Sequence, residues 1–141
     1  MKTVTIQTFG YDYGALEGDY KFKADVRNVP GNGIDRKKTG MDKENAATIM
    51  ARPQAKAWLK KMENTWTPKL EDGDKVAIGC AWGHHRSVAI AQAYAAFLRS
   101  KGWKVTIKNR DMMKTEAPKH ELLSDVEARQ NRLIELVASL D

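Results

Sequence analysis

One cysteine, Cys80, stands in a chain of 141 residues. A single thiol forms no internal disulfide, and no second cysteine exists to build a zinc knuckle or finger. No apolar stretch reaches membrane-spanning length, and Met1-Lys2-Thr3-Val4-Thr5-Ile6 runs straight into strand-like alternation instead of the apolar core of a signal peptide. Internal repeats and low-complexity segments are absent as well. These absences predict a soluble, cytoplasmic protein without membrane contact, folded as one domain over residues 1–141. Such a chain is long enough to bury roughly two-thirds of the surface of its unfolded form. Neither a cofactor nor a metal is expected, His84-His85 being the one adjacent histidine pair.

What is present is basic. The net charge of +6 favours an anionic partner: nucleic acid, a nucleotide or a sugar phosphate. Strand and helix patterns alternate along the chain. Val4, Ile6 and Phe9 mark a first strand ending at Gly10, and Tyr20 to Val26 alternates as a second. Asn28 to Thr39, with Pro30, Gly31, Asn32 and Gly33, reads as a long loop of the kind that often carries function. Asp42 can cap a helix reaching about Met50, and Pro53 can open another through Met62. Lys75 to Cys80 is a third strand, His84 to Lys101 a helix stopped by Gly102, and Trp103 to Lys108 a fourth strand. Glu121 to Leu140 carries a helical stripe of Leu122, Val126, Leu133, Leu136, Val137 and Leu140. This order predicts an α/β fold: a mainly parallel sheet of about four strands, helices on both faces, and an anion site at the strand carboxyl ends.

The densest chemistry lies where the third strand turns into its helix: Cys80, Ala81, Trp82, Gly83, His84, His85, Arg86 and Ser87. The first N–H groups of a helix lack partners and, with the positive end of the dipole, form a seat for an anion. Arg86 supplies a planar fork for two oxygens, the backbone from Ala81 to His85 a cradle, and Ser87 and His85 directional donors. Parallel strands would bring Arg27, Tyr11, Tyr13, Asn109, Arg110 and Asp111 to the same rim.

At these residues the chain resembles the RapZ C-terminal domain family. The resemblance rests on Thr8-Phe9-Gly10-Tyr11-Asp12-Tyr13-Gly14, Asp25-Val26-Arg27-Asn28-Val29-Pro30, Thr39-Gly40-Met41-Asp42, Ala77-Ile78-Gly79-Cys80 with Gly83 and His85-Arg86-Ser87, and Asn109-Arg110-Asp111, in the family's order over about residues 4 to 111. It implies an α/β domain likened to the phosphofructokinase fold that binds glucosamine-6-phosphate at the strand-helix turn and RNA on nearby basic surface. Full-length family members carry a kinase-like domain with a Walker A loop in front, and no Gly-x-x-x-x-Gly-Lys-Ser/Thr segment occurs here. Ala81-Trp82-Gly83 stands where the family usually has Thr-Gly-Gly, so the pocket is either narrowed or able to stack a ring on the indole. Gly31-Asn32-Gly33 replaces a common Asn-Pro-His, removing an expected histidine contact.

Three functions compete. The first is a phosphate-recognising adaptor that binds a phosphorylated small molecule (a sugar phosphate or nucleotide) and structured RNA, without chemistry of its own. Its ligand residues would be Cys80 to Ser87 with Arg27, Arg110 and Asp111, and its RNA rim Lys37, Lys38, Lys108, Arg110 and Lys114. The second is a small Cys-dependent phosphatase, because Cys80-x5-Arg86-Ser87 fits a thiolate nucleophile with an oxygen-holding arginine, and Asp111 or Asp35 could serve as the acid. The third is an oligomeric protein-interaction adaptor. Plainer readings stand beside each residue. Cys80 alone is most often a small buried hydrophobe. His85 can cap the helix, His84 can face solvent, and Arg27 can pair with Asp25. Trp58, Trp66 and Trp103 fall where core is predicted.

Overall fold

A computed structural model describes residues 1–115. The helix expected over 121–140 lies outside the described residues. Four strands, β1 (Thr3–Gly10), β2 (Phe22–Asp25), β3 (Asp74–Cys80) and β4 (Lys104–Asn109), form one sheet in the order β2-β3-β1-β4. All three pairings are parallel, as expected from the alternation of strands and helices. The second strand is shorter than its alternation suggests. Its edge pairing nevertheless reaches further, because Lys21 N–H donates to Lys75 O and Val26 N–H to Gly79 O.

Three helices connect the strands: α1 (Lys43–Met50), α2 (Pro53–Lys61) and α3 (Arg86–Ser100). Asp42 caps α1 through Asn45 N–H, and Pro53 opens α2, as the sequence requires. A π turn over Met62–Trp66 prolongs α2 and buries both of those side chains. The β2-to-β3 and β3-to-β4 crossovers run in the same direction along the sheet, so right-handed connections set α1, α2 and α3 on one face. There Val4, Ile6, Val76, Ile78 and Val105 alternate into a core shared with Ile49, Ile90 and Leu98. Trp66 is buried between Phe22 and Tyr94, and Trp58 and Trp103 pack against the same core, as expected of all three. Of the two helix-covered faces predicted, the described helices supply one. The other face presents Lys23, Lys75, Lys104 and Lys108 between Thr5 and Thr106.

The register fixes the site. Gly10 pairs with Cys80, Asp25 with Gly79, and Thr8 with Asn109, so four strands end on one rim. The connection leaving β1 runs one way along the sheet, past β3 toward β2, and the one leaving β3 runs the other, past β1 toward β4, so the two meet over the Gly10–Cys80 pair.

Candidate functional site

The β3–α3 turn is pressed down onto the end of β1. A Cβ on Gly10 would come within 2.3 Å of the Trp82 carbonyl carbon, and Gly83, at φ +74°, would put one 2.7 Å from Gly10 N. Only glycine permits both the approach and the left-handed turn. Gly83 N–H then donates to Cys80 Sγ, and the thiol donates to Ser87 Oγ, each at 3.2 Å. Cys80 and Ser87 are thereby buried beneath the turn, in keeping with the plainer reading of Cys80. Gly83 N–H, spent on that sulfur, leaves the backbone cradle.

Above the turn opens a cleft of about 560 Å³, lined by Gly31, Asn32, Ile34, Arg36, Cys80, Ala81, Trp82, His84, His85 and Arg86. Six of the eight turn residues singled out from the sequence thus meet in one cavity, and the β2–α1 loop closes its other side. Arg86, the first residue of α3, donates through Nη1 to Arg27 O and Val29 O, both at 3.1 Å. These bonds hold the guanidinium against the loop, where Gly31 leaves room for it: a Cβ there would lie 3.4 Å from Nε. His85 occupies the N-cap position but makes no capping bond with its side chain. Instead Nε2 lies 2.7 Å from Lys38 O, and because a carbonyl only accepts, that nitrogen carries the proton.

Burial pushes the His85 imidazole below its ordinary pKa, against the bond to the Lys38 backbone, and His84, Arg36 and Arg86 push it down further. His84 is half-buried and only partly turned to solvent. Its ring packs near-perpendicular to Trp82 at 5.7 Å, and burial lowers its pKa against the opposing pull of the Asp111 backbone and carboxylate. Its Nε2 is buried without a hydrogen-bond partner among the described residues.

The remaining candidates stand outside the cleft lining. Arg27 is bidentate with Asp25 at 2.6 and 2.9 Å and lies 4.1 Å over the Tyr11 ring, the internal-pair alternative. Arg110 is spent on the β1–β2 connection, with Nη1 to Ala15 O and Nη2 to Gly10 O and Gly14 O. Asp111 is fully buried, accepts from Gly10 N–H at 2.7 Å and pairs with Arg110 at 3.0 Å and Lys114 at 2.6 Å. Burial pushes its carboxyl up, but the bonds from Arg110, Lys114 and Gly10 outweigh this and hold it below the ordinary range.

The five proposed RNA contacts are also divided. Lys37 and Lys38 sit on the β2–α1 loop, Lys38 ion-paired with Asp42 at 3.8 Å. Lys108 lies on the sheet face away from the helices, and Arg110 and Lys114 are locked onto Asp111.

Two loop anchors escaped the sequence reading. Buried Asn45 accepts from Asp35 N–H and donates to Asp35 O and Thr39 O, while Arg52 donates to Asn32 Oδ1 and Asn32 O. Only an asparagine on the core side of α1 hinted at the first.

The fold and site define an all-parallel α/β domain with a cation-lined cleft at its strand carboxyl ends. A profile of the RapZ C-terminal domain matches residues 2–113, and the chain belongs to that family. It is 32% identical over 120 residues to a "Nucleotide-binding protein" of Shewanella halifaxensis, covering 77% of this chain and 42% of that one. It is 33% identical over 126 residues to the "RNase adapter protein RapZ" of Klebsiella pneumoniae, covering 82% and 44%. The chain therefore spans less than half the length of these curated relatives. Among the described residues no helix is long and apolar enough to cross a membrane.

Proposed function

We propose that this domain is a phosphate-recognising adaptor that seats a phosphorylated small molecule, a sugar phosphate or a nucleotide, in the β3–α3 cleft and binds structured RNA on adjoining basic surface. One observation carries the reading: the cleft opens at the start of α3, contains Arg36 and Arg86, and among the described residues has no carboxylate in its lining. A helix N-terminus plus two guanidinium groups without a competing anion favours a phosphate. Arg86 is the clamp, preset by the Arg27 and Val29 carbonyls. Arg27, Arg110 and Asp111 act one step back, holding the rim. The names of the relatives, an RNase adapter and a nucleotide-binding protein, support an adaptor role with RNA or a protein as partner.

Thermal shift with inorganic phosphate, sugar phosphates and nucleotides tests the seat. Stabilisation by at least one of them, lost in Arg86→Ala with the fold intact, is the expected result, and binding unchanged in that variant rejects it.

The Cys80 thiol donates to Ser87 Oγ, whereas the thiolate of a Cys-x5-Arg-Ser phosphatase would accept from that hydroxyl. Neither acid candidate stands in the cleft lining: Asp111 is buried and ionised, and Asp35, on the β2–α1 loop, accepts from Lys37 N–H through Oδ1. We therefore expect no hydrolysis of a generic phosphate monoester by the parent and no fast iodoacetamide labelling of Cys80 near neutral pH. Turnover abolished by Cys80→Ser would reverse the assignment.

A further inference from the structure

We propose that the ligand of this cleft is a phosphate monoester carrying a flat aromatic group, in class a nucleoside monophosphate, with its ring stacked on Trp82 and its phosphate beside Arg86. The inference rests on the phosphate seat proposed above and names what fills the rest of the cavity.

Trp82 is the largest side chain in the lining, and its backbone cannot retreat because Gly10 is packed directly beneath it. The indole is braced by Tyr13 at 6.1 Å and 77° and by His84 at 5.7 Å and 87°. Both contacts are near-perpendicular, so among the described residues no ring stacks parallel on the indole, and that geometry is left to a ligand. Ile34 adds a second apolar surface to the same cavity. A bare sugar phosphate would lay at most a small C–H face on the indole, with hydroxyls around its edge. A base would instead bury apolar area there.

His84 adds a directional element. Its Nε2 has no hydrogen-bond partner among the described residues, and a polar ligand edge brought against it would satisfy that nitrogen. The nitrogens and exocyclic groups of a base supply such an edge; a hydrocarbon ring has none. Arg36 and Arg86, with no carboxylate beside them in the lining among the described residues, take the phosphate dianion.

Calorimetric titration with adenosine 5′-monophosphate, ribose 5-phosphate and inorganic phosphate tests this on the parent, Trp82→Ala and Trp82→Phe. Stacking of one base on an aromatic side chain corresponds to about tenfold or more in affinity, so the nucleotide should bind the parent at least that much more tightly than ribose 5-phosphate. Trp82→Ala should erase the difference while leaving ribose 5-phosphate affinity in place, and Trp82→Phe should retain most of it. Equal binding of the two ligands by the parent, or a preference that survives Trp82→Ala, overturns the inference. Ribose 5-phosphate binding that is lost in Arg86→Ala, with no gain from the base, keeps the phosphate seat and rejects the stacked ring. Failure of all three ligands to bind rejects both.

Discussion

Arg86 and Asp111 are both charged, both near the strand ends, and opposite in use. Arg86 faces the cleft with one nitrogen committed to carbonyls, and charge-assisted hydrogen bonds contribute roughly 1.5–3 kcal/mol each. Arg86→Ala should therefore weaken a phosphate ligand at least about tenfold, as read by calorimetry. Asp111 instead ties β1, through Gly10 N–H, to the residues that follow β4. Asp111→Ala strands the buried Gly10 N–H and two cations. Lys114 is half-exposed and contributes little, so the loss should be roughly 1.5–3 kcal/mol in urea denaturation, dominated by the buried bonds. A loss below about 0.5 kcal/mol, the usual range of a surface substitution, would deny it that structural role.

At the scale of elements, the β3–α3 turn works because two glycines let it lie on β1. Gly83 and Gly73 both have positive φ, but a Cβ on Gly73 meets nothing within 4 Å, whereas one on Gly83 meets the β1 backbone. Gly73→Ala should cost about 1–2 kcal/mol, the left-handed penalty alone. Gly83→Ala should cost more and also loosen the cleft, seen as a lower melting temperature together with lost phosphate stabilisation. Equal costs would show that the turn can lift off β1 freely. The β2–α1 loop depends on partners outside it, Asn45 at the start of α1 and the more distant Arg52 and His85, so its shape is a tertiary product.

For the whole molecule, pH and salt report the arrangement. His84 and His85 have pKa values lowered from 6.5 by burial, so the folded state binds fewer protons than the unfolded chain. Their contribution is complete above 6.5 and is lost as pH falls below it toward the folded values. Asp25 and Asp111, lowered from 3.8, contribute above that value and lose their contribution only at more acid pH. Melting temperature should thus fall in two steps, and the His84→Gln, His85→Gln double variant should flatten the first alone; an unchanged profile counts against the burial account. RNA binding should weaken with salt, with a log–log slope that drops by about one unit for each backbone phosphate a variant no longer neutralises. With Arg110 and Lys114 tied to Asp111, charge reversal at Lys37 and Lys38 should cost most of the affinity and some of the slope. RNA binding unaffected by that reversal places the interface elsewhere, for example on the exposed lysines of the sheet face away from the described helices.

By itself the sequence determined the elements and their kind: alternation in β1 and β3, Asp42 and Pro53 as helix starts, and a glycine-bearing turn after Cys80 that had to sit at a helix N-terminus. Those depend on local geometry and on a period of apolar residues, which are written in neighbouring positions. Only the tertiary structure decided what each charged rim residue does. Arg27, Arg86 and Arg110 look alike in the sequence. Which of them faces a cleft depends on carbonyls and carboxylates contributed by other strands: Asp25 holds Arg27, Asp111 and the Gly10 and Gly14 carbonyls hold Arg110, and Arg86 is left facing the cavity. The same holds for His84, polar by type and placed after a turn, which is half-buried because strand order and register bring Tyr13 and Asp111 up against it.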